Sequence, residues 1–340
     1  MRKNRNCEMS SVKDQNAVFW TRYVPGWDRT GSAKEGTPEF HKSAMDYRYA
    51  SEPYLEGFFQ RILKPGYASL EVGCGIGCDV ATFASRGLAA TGLDYSPENA
   101  SLSQLGLDAF NLPGLAIAGD AEQLPFPDNS FDIVWSWGVL HHTPKTQLSI
   151  DEVYRVLRPG GQAAIGLYHK GYQYLYMLAA YAAGFRWLRQ DLQSYLSWRY
   201  DKTPLSQFFS RAEMRHMFRR FLNVDIEVTT YGGIQYHPIL KHVWRAFQLC
   251  PFLLCRLGSF IIAFATKPGD APPLLKAPSP CCPVCKGVLK NEVGGLRCLD
   301  VSCGATYPLH KGRIPVLHPQ GQEVCRRWLE DWKSGPPPNI

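Results

Sequence analysis

No uninterrupted apolar run long enough to cross a bilayer occurs in the 340 residues. The most apolar tract, residues 243–265, is broken by Arg245, Pro251 and Arg256, where a spanning helix needs about 20 largely apolar positions. A secretory leader is not expected either, because the basic opening Met1-Arg2-Lys3-Asn4-Arg5-Asn6 runs into polar residues rather than an apolar stretch. The eleven cysteines lack the layout of an oxidised framework: four gather near the C-terminus at metal-like intervals and the rest are scattered, so a reducing, cytoplasmic setting is expected. Cys74 and Cys78 suit small apolar filling better than reactive thiols. Also lacking is the G-x-G-x-x-G turn that sets a helix N-terminus against a pyrophosphate. In its place stands Glu71-Val72-Gly73-Cys74-Gly75-Ile76-Gly77-Cys78-Asp79, which suits a ligand without phosphate at that turn.

The length favours one domain plus a smaller module, and 45% hydrophobic residues are ample for a core. The net charge of +7 is unevenly placed. Residues 155–220 hold eleven Lys/Arg against three Asp/Glu, so the rest of the chain is nearly neutral. Such a bias fits a solvated basic face, an anionic substrate, a phospholipid surface or nucleic acid.

Ala68, Leu70 and Val72 form a short apolar run that breaks into glycines at alternate positions and leads into a helix-like segment, the pattern of strand, tight turn and helix. Glycine there permits positive φ and close approach of a ligand to the backbone. A second strand ends in Asp94, seventeen positions after Gly77, and a carboxylate at about that distance suits a ribose diol. There follow Gly119-Asp120-Ala121-Glu122, then Phe131 to His142, then Leu157-Arg158-Pro159-Gly160-Gly161. In this order, over roughly residues 52–267, these landmarks resemble the class I S-adenosylmethionine (SAM) dependent methyltransferases of type 11.

The resemblance implies an α/β, Rossmann-like, doubly wound sheet of seven strands in the order 3-2-1-4-5-7-6. It implies that Gly73, Gly75 and Gly77 face the methionine part and ribose and that Asp94 binds the ribose hydroxyls. Asp120 would accept from the adenine amino group beside Ala121 and Tyr95, Trp137 and Leu140 would line the methionine end, and Glu71 would order the turn or reach the amino group. His141 and His142 follow the fourth strand near the expected methyl position. For a hydroxyl acceptor a neutral histidine is a suitable base, with His142 the candidate; packing and backbone bonding are the competing roles.

The expected organisation is an N-terminal cover over residues 1–50, its first eighteen or so mobile, and a methyltransferase domain over 51–267. Within that domain an aromatic helical cap spans 168–209 and an apolar, basic insert spans 232–258. Tyr47, Arg48 and Tyr49 could touch SAM or substrate, or simply pack. Ser96-Pro97 and Thr143-Pro144 both read as helix starts, and Ser210-Arg211-Ala212-Glu213 as a capping box. Residues 268–280 read as a proline-rich linker. Beyond it, residues 281–319 carry Cys282, Cys285, Cys298 and Cys303, spaced for tetrahedral zinc, before a tail at 320–340. This module resembles the zinc ribbons that accompany methyltransferases as activators, with Cys-x4-Cys where Cys-x2-Cys is usual; Cys281 could replace Cys282, and a metal-free ribbon is the other reading.

The aromatic cap favours a small apolar, aromatic or lipid-like acceptor, with association at a membrane surface and a protein partner docked through the ribbon as further possibilities. Nucleic acid is less favoured: Ser136-Trp137-Gly138-Val139 stands where amino-methylating relatives carry a Pro-Pro-Tyr type motif. The alternatives are an RNA or protein methyltransferase using the basic face, and a scaffold without chemistry that docks a partner through the ribbon.

Overall fold

The alternating units of the sequence fold into stacked layers in a computed structural model, which describes residues 12–22, 27, 30–184, 190–229 and 256–319. Helices α1 (Val12–Arg22), α2 (Pro38–Ser51) and α3 (Leu55–Ile62) precede β1 (Ala68–Val72), α4 (Cys78–Ser85), β2 (Ala89–Asp94), α5 (Pro97–Ala109), β3 (Gly114–Gly119) and β4 (Phe131–Trp137). Then come α6 (Thr146–Val156), β5 (Leu157–Tyr168), the cap helices α7 (Tyr172–Ala183) and α8 (Leu192–Tyr200), α9 (Arg211–Met217), β6 (Leu222–Thr229) and β7 (Phe260–Thr266). Four short strands close the described chain: β8 (Leu289–Glu292), β9 (Gly295–Cys298), β10 (Thr306–His310) and β11 (Ile314–Leu317).

Seven strands take the expected order β3-β2-β1-β4-β5-β7-β6, parallel except for β7. The sheet does not stop at β3. Strand β11 lies parallel beside it, Val316 opposite Ala118, and β10, β9 and β8 follow antiparallel, giving eleven strands in one sheet. The cysteine-bearing strands therefore share the core: Cys282, Cys298, Tyr307 and Leu317 are buried in the same cluster as Leu124, Phe126 and Phe131.

Residues 268–280, expected as a proline-rich linker, are tied to the domain as a strap. Arg158 donates to the Ala271 carbonyl (2.6 Å) and pairs with the fully buried Asp132, whose carboxylate also accepts from the Ala68 amide (2.8 Å) and the Leu274 amide (3.0 Å). The Cys281 amide then donates to the Pro125 carbonyl (2.8 Å).

Local signals explain most helix boundaries. Leu55, Phe58, Phe59 and Ile62 give α3 one buried stripe. Ser96 accepts from the Asn99 amide ahead of α5, and Ser210 with Glu213 forms the complete capping box of α9. Thr143 does not cap α6; its hydroxyl donates to Leu140 O (2.8 Å), while Glu122 Oε1 accepts the Lys145 amide (2.8 Å). At the N-terminus α1 occupies Val12–Arg22, part of the stretch expected to be mobile, and within the expected cover α2 is a 14-residue helix capped by Thr37. The cap does form two helices, whereas the 232–258 insert lies outside the described residues up to 255.

Candidate active site

The last residues of five strands, Val72, Asp94, Gly119, Trp137 and Tyr168, line one cavity of about 1020 Å³. It lies outside the carboxyl ends of the strands, where open α/β sheets bind ligands. Its volume is at the top of the usual range for ligand pockets, roughly 300–1,000 Å³, so it has room for a cofactor and an acceptor together.

One half is the glycine turn with its carboxylates. Gly73 (φ +83°), Gly75 (φ +52°) and Gly77 (φ +88°) all adopt the left-handed region. A Cβ on Gly73 would lie 2.2 Å from Val139 Cγ2, and one on Gly77 would lie 2.8 Å from Ser103 Cα. Gly73 and Gly75 line the cavity; Gly77 does not, and its role is to let α4 meet α5. Asp94 is held by three donors: Gly75 N (2.9 Å) on Oδ2, and Ser96 N (2.8 Å) with Asn99 Nδ2 (3.3 Å) on Oδ1. Burial raises its pKa against these hydrogen bonds. Each oxygen retains acceptor capacity toward the cavity.

Glu71 lines the same half, and its Oε2 is buried with no hydrogen-bond partner. Burial, and then the neighbouring Asp79 charge, raise its pKa well above the usual carboxylate range. Beneath it Arg48 makes a bidentate pair with Asp79 (2.8 and 2.7 Å) and reaches Glu52 (2.8 Å). Glu52 in turn accepts from Trp137 Nε1 (2.8 Å), and Asp79 from Trp135 Nε1 (3.0 Å). Arg48 thus lines the cavity, as the sequence allowed, whereas Tyr47 does not and Tyr49 packs with its hydroxyl on Cys78 O (3.1 Å).

Asp120 accepts the Glu122 amide (2.9 Å) on Oδ1, and its Oδ2 pairs with Lys13 Nζ (2.6 Å). Lys13 also pairs with Glu122 (2.7 Å). Ala121 and Tyr95 complete this corner; His318 Nε2 donates to Tyr95 O (3.0 Å), and the two rings lie 4.4 Å apart. Six carboxyl groups line the cavity against the cations Lys13, Arg48 and Arg199. That excess, with the unpartnered Glu71 oxygen, fits a ligand carrying sulfonium and ammonium charges, as SAM does.

The other half is aromatic. Tyr168 sits at its centre, 4.4 Å from the Tyr200 ring and 5.0 Å from Phe260, with Trp137 stacked on Phe260 (5.0 Å). Tyr172, Tyr176 and Met177 extend the lining from α7. Leu140 does not contribute: it is fully buried in the hydrophobic core, and its carbonyl serves the turn that leads to α6. His141 is also outside the lining, packed against the Tyr168 ring (3.6 Å) and held neutral by burial.

His142 does line the cavity. Its Nδ1 lies 2.7 Å from Leu205 O, so Nδ1 carries the proton and Nε2 keeps the lone pair. Nε2 is buried, 3.8 Å from Asp201 Oδ2, and the imidazole and Trp20 ring centroids are 4.9 Å apart. Burial lowers the pKa against the Asp201 charge. Lys13, Asn16, Trp20 and Asp201 were not anticipated. Asn16 bridges His142 O (2.7 Å) and the Leu205 amide (3.2 Å), clamping α1 over both halves. No spacing in Val12–Arg22 announces this, because the contacts are with residues more than a hundred positions away.

At the far end of the sheet, the sulfurs of Cys282, Cys285, Cys298 and Cys303 all lie within 4.8 Å of one another, with Cys282–Cys303 at 3.7 Å and Cys285–Cys298 at 3.4 Å. Four Zn–S bonds of about 2.3 Å span a tetrahedron with edges of about 3.8 Å, so the four fit the ion. Cys281 stands outside the group, its thiol pushed up to about 11 by burial.

Residues 70–165 match a family model described as a methyltransferase domain. Over 103 residues the chain is 43% identical to the phthiotriol/phenolphthiotriol dimycocerosates methyltransferase of Mycobacterium leprae, covering 29% of this chain and 37% of that protein. Over 144 residues it is 38% identical to 24-methylenesterol C-methyltransferase 2 of Arabidopsis thaliana, covering 41% of this chain and 38% of that one. The chain thus spans less than half the length of these relatives. Among solved structures, a chain from the complex between the Haloferax volcanii Trm112 methyltransferase activator and a methyltransferase superposes with a TM-score of 0.51 at 18% identity, covering 77% of this chain and 100% of that one. At that identity the likeness is one of fold. The stretch that holds the glycine turn, Asp94 and Asp120 is thus the part of the chain that matches a methyltransferase domain.

Proposed function

We propose that the chain transfers the methyl group of SAM to a small apolar or lipid-like acceptor seated under the aromatic cap. The observation that carries this reading is the continuity of one cavity from Asp94 and Asp120 to Tyr168, Tyr172 and Phe260. Two matched relatives are named for a phthiotriol ester and a sterol, which supports the same acceptor class.

When bound, SAM supplies a sulfonium-activated methyl group to an acceptor in line with the carbon–sulfur bond. The chain's share is alignment, worth on the order of 7–11 kcal/mol in well-oriented systems. Asp94 would hold the ribose hydroxyls, Asp120 with Ala121 and Tyr95 the adenine, Glu71 the ammonium, and Trp137 the methionine end. Gly73 and Gly75 let the backbone approach. For an oxygen acceptor His142 takes the proton at Nε2, with Asp201 balancing the imidazolium charge. Cys282, Cys285, Cys298 and Cys303 would hold a structural zinc that ties the segment before β8 to the end of β9 and the turn after it.

Several cations of the basic segment are spent internally: Arg155 on Glu152 and Asp128, Arg158 on Asp132, Lys170 on Glu213 and Arg220 on Asp151. The surplus along the sequence is therefore smaller in space, which weighs against a nucleic-acid acceptor. Incubation of the protein with methyl-tritiated SAM and a total lipid extract should move label into the organic phase. Label confined to added RNA or protein, or none transferred, would contradict the reading.

A further inference from the structure

Helix α7 presents an apolar face to solvent. Its sequence Tyr-Gln-Tyr-Leu-Tyr-Met-Leu-Ala-Ala-Tyr-Ala-Ala contains no charged residue, and Met177 is its only buried position. The inner side is satisfied by aromatic contacts, Tyr174 on Phe208 (5.3 Å) and Tyr181 on Tyr195 (5.1 Å). The outer side is Leu175 (51% exposed), Tyr176 (62%), Ala179, Ala182 and Ala183, at the spacing of one helical face. Beside it on α8, Trp198 is 47% exposed and Leu192 36%. A contiguous apolar strip on a charged protein marks a surface that meets another apolar phase.

Two further observations say which phase. Tyr176 belongs at once to this strip and to the cavity lining, so the strip reaches the cavity mouth on the acceptor side. Over the cap, residues 168–209, the sequence carries Lys170, Arg186, Arg189, Arg199 and Lys202 against Asp191 and Asp201. Arg199 lines the same mouth and Lys202 follows α8, both exposed, while Asp191 uses its carboxylate to cap α8 at Ser194 N. Lys170, just before α7, is partly exposed and paired with Glu213. Tyrosine and tryptophan at the edge of an apolar strip, flanked by Arg and Lys, complement the interface of an anionic bilayer. Among the described residues no helix is long and apolar enough to cross one, so the contact is in-plane.

We propose that the α7–α8 face docks on an anionic phospholipid surface and that the acceptor enters the cavity from that surface past Tyr176. Docking stands on the geometry alone; only the acceptor's route rests on the methyltransferase reading. Sedimentation of the full-length protein with phosphatidylcholine vesicles, with and without 30% phosphatidylglycerol, tests it. The protein should sediment with the anionic vesicles. Leu175→Asp and Ala179→Asp, which lie outside the cavity lining, should each lower the bound fraction about tenfold, whereas Val293→Asp, at an exposed hairpin tip on β8–β9, should not. The thermal shift caused by S-adenosylhomocysteine, read on the same samples, should be unchanged in all three, which separates failure of docking from failure of the cofactor site. Protein that stays in the supernatant with both vesicle types, binding by Leu175→Asp equal to the parent, or a dimer abolished by Leu175→Asp in protein that ignores vesicles would each overturn the proposal.

Discussion

Gly73 carries two constraints at once, a φ of +83° and the Val139 side chain at the place where a Cβ would stand. The left-handed conformation costs an L-residue roughly 1–2 kcal/mol and overpacking about 1–3 kcal/mol. Gly73→Ala is therefore expected to lower unfolding stability by about 3 kcal/mol, read as a shift of the urea midpoint; an unmoved midpoint would mean that Val139 yields freely. Glycine in this turn was legible in the sequence, but its reason was only half so. The pattern pointed to a ligand, and the structure adds protein contacts that require the glycines at positions 73 and 77 whether or not a ligand is present. Asp94, which ends β2, was expected at the site from its distance to the turn, and Asp120, just after β3, from the family likeness; both line the cavity. Leu140 was misplaced for a related reason: a position after a strand end fixes nearness to the site, not the direction in which the side chain points.

Among the elements, the first two strands could be read from apolar runs and turn signals, and the number and order of the seven main strands followed from the family likeness. The placement of β11 beside β3 could not be read. It depends on Val316 and Leu317 finding Ala118 and Gly119 some two hundred positions away, and nothing local encodes a parallel pairing across such a distance. The consequence is that the cysteine group braces the main core. Zinc in this group would contribute folding free energy directly, and its loss would uncover Tyr307 and Cys298, both nearly fully buried. Cys298→Ser is expected to bind less zinc by atomic absorption and to melt about 5 °C lower or more, the shift that follows from a loss of about 2 kcal/mol in a domain of this size. Full zinc content and an unchanged melting temperature would remove these four thiols from the account.

Over the whole molecule, burial sets the response to acid. His318 is held down to about 4, first by burial, and His41, His141, His142 and His169 are lowered for the same leading reason. Unfolded histidine titrates near 6.5, so below that pH the unfolded chain takes up protons that the folded chain refuses. The stability these groups carry is complete above about pH 6.5 and is lost as pH falls toward their folded values. Glu52, Glu71 and Asp94, raised chiefly by burial, act in the opposite sense. For His318 alone the loss between pH 6.5 and 5 is on the order of 2 kcal/mol. His318→Gln should thus lose less melting temperature than the parent over that interval, and parallel curves would contradict the assignment.

The central claim is that the carboxylate-lined half of the cavity holds the nucleoside and amino-acid parts of SAM. Titration calorimetry with S-adenosylhomocysteine tests it most directly. The full-length chain should bind at one saturable site, and Asp94→Ala, folded by circular dichroism, should bind at least about 100-fold more weakly, as expected for losing two hydrogen bonds to a charged acceptor. Equal binding by the two proteins, or none by the parent, would contradict it.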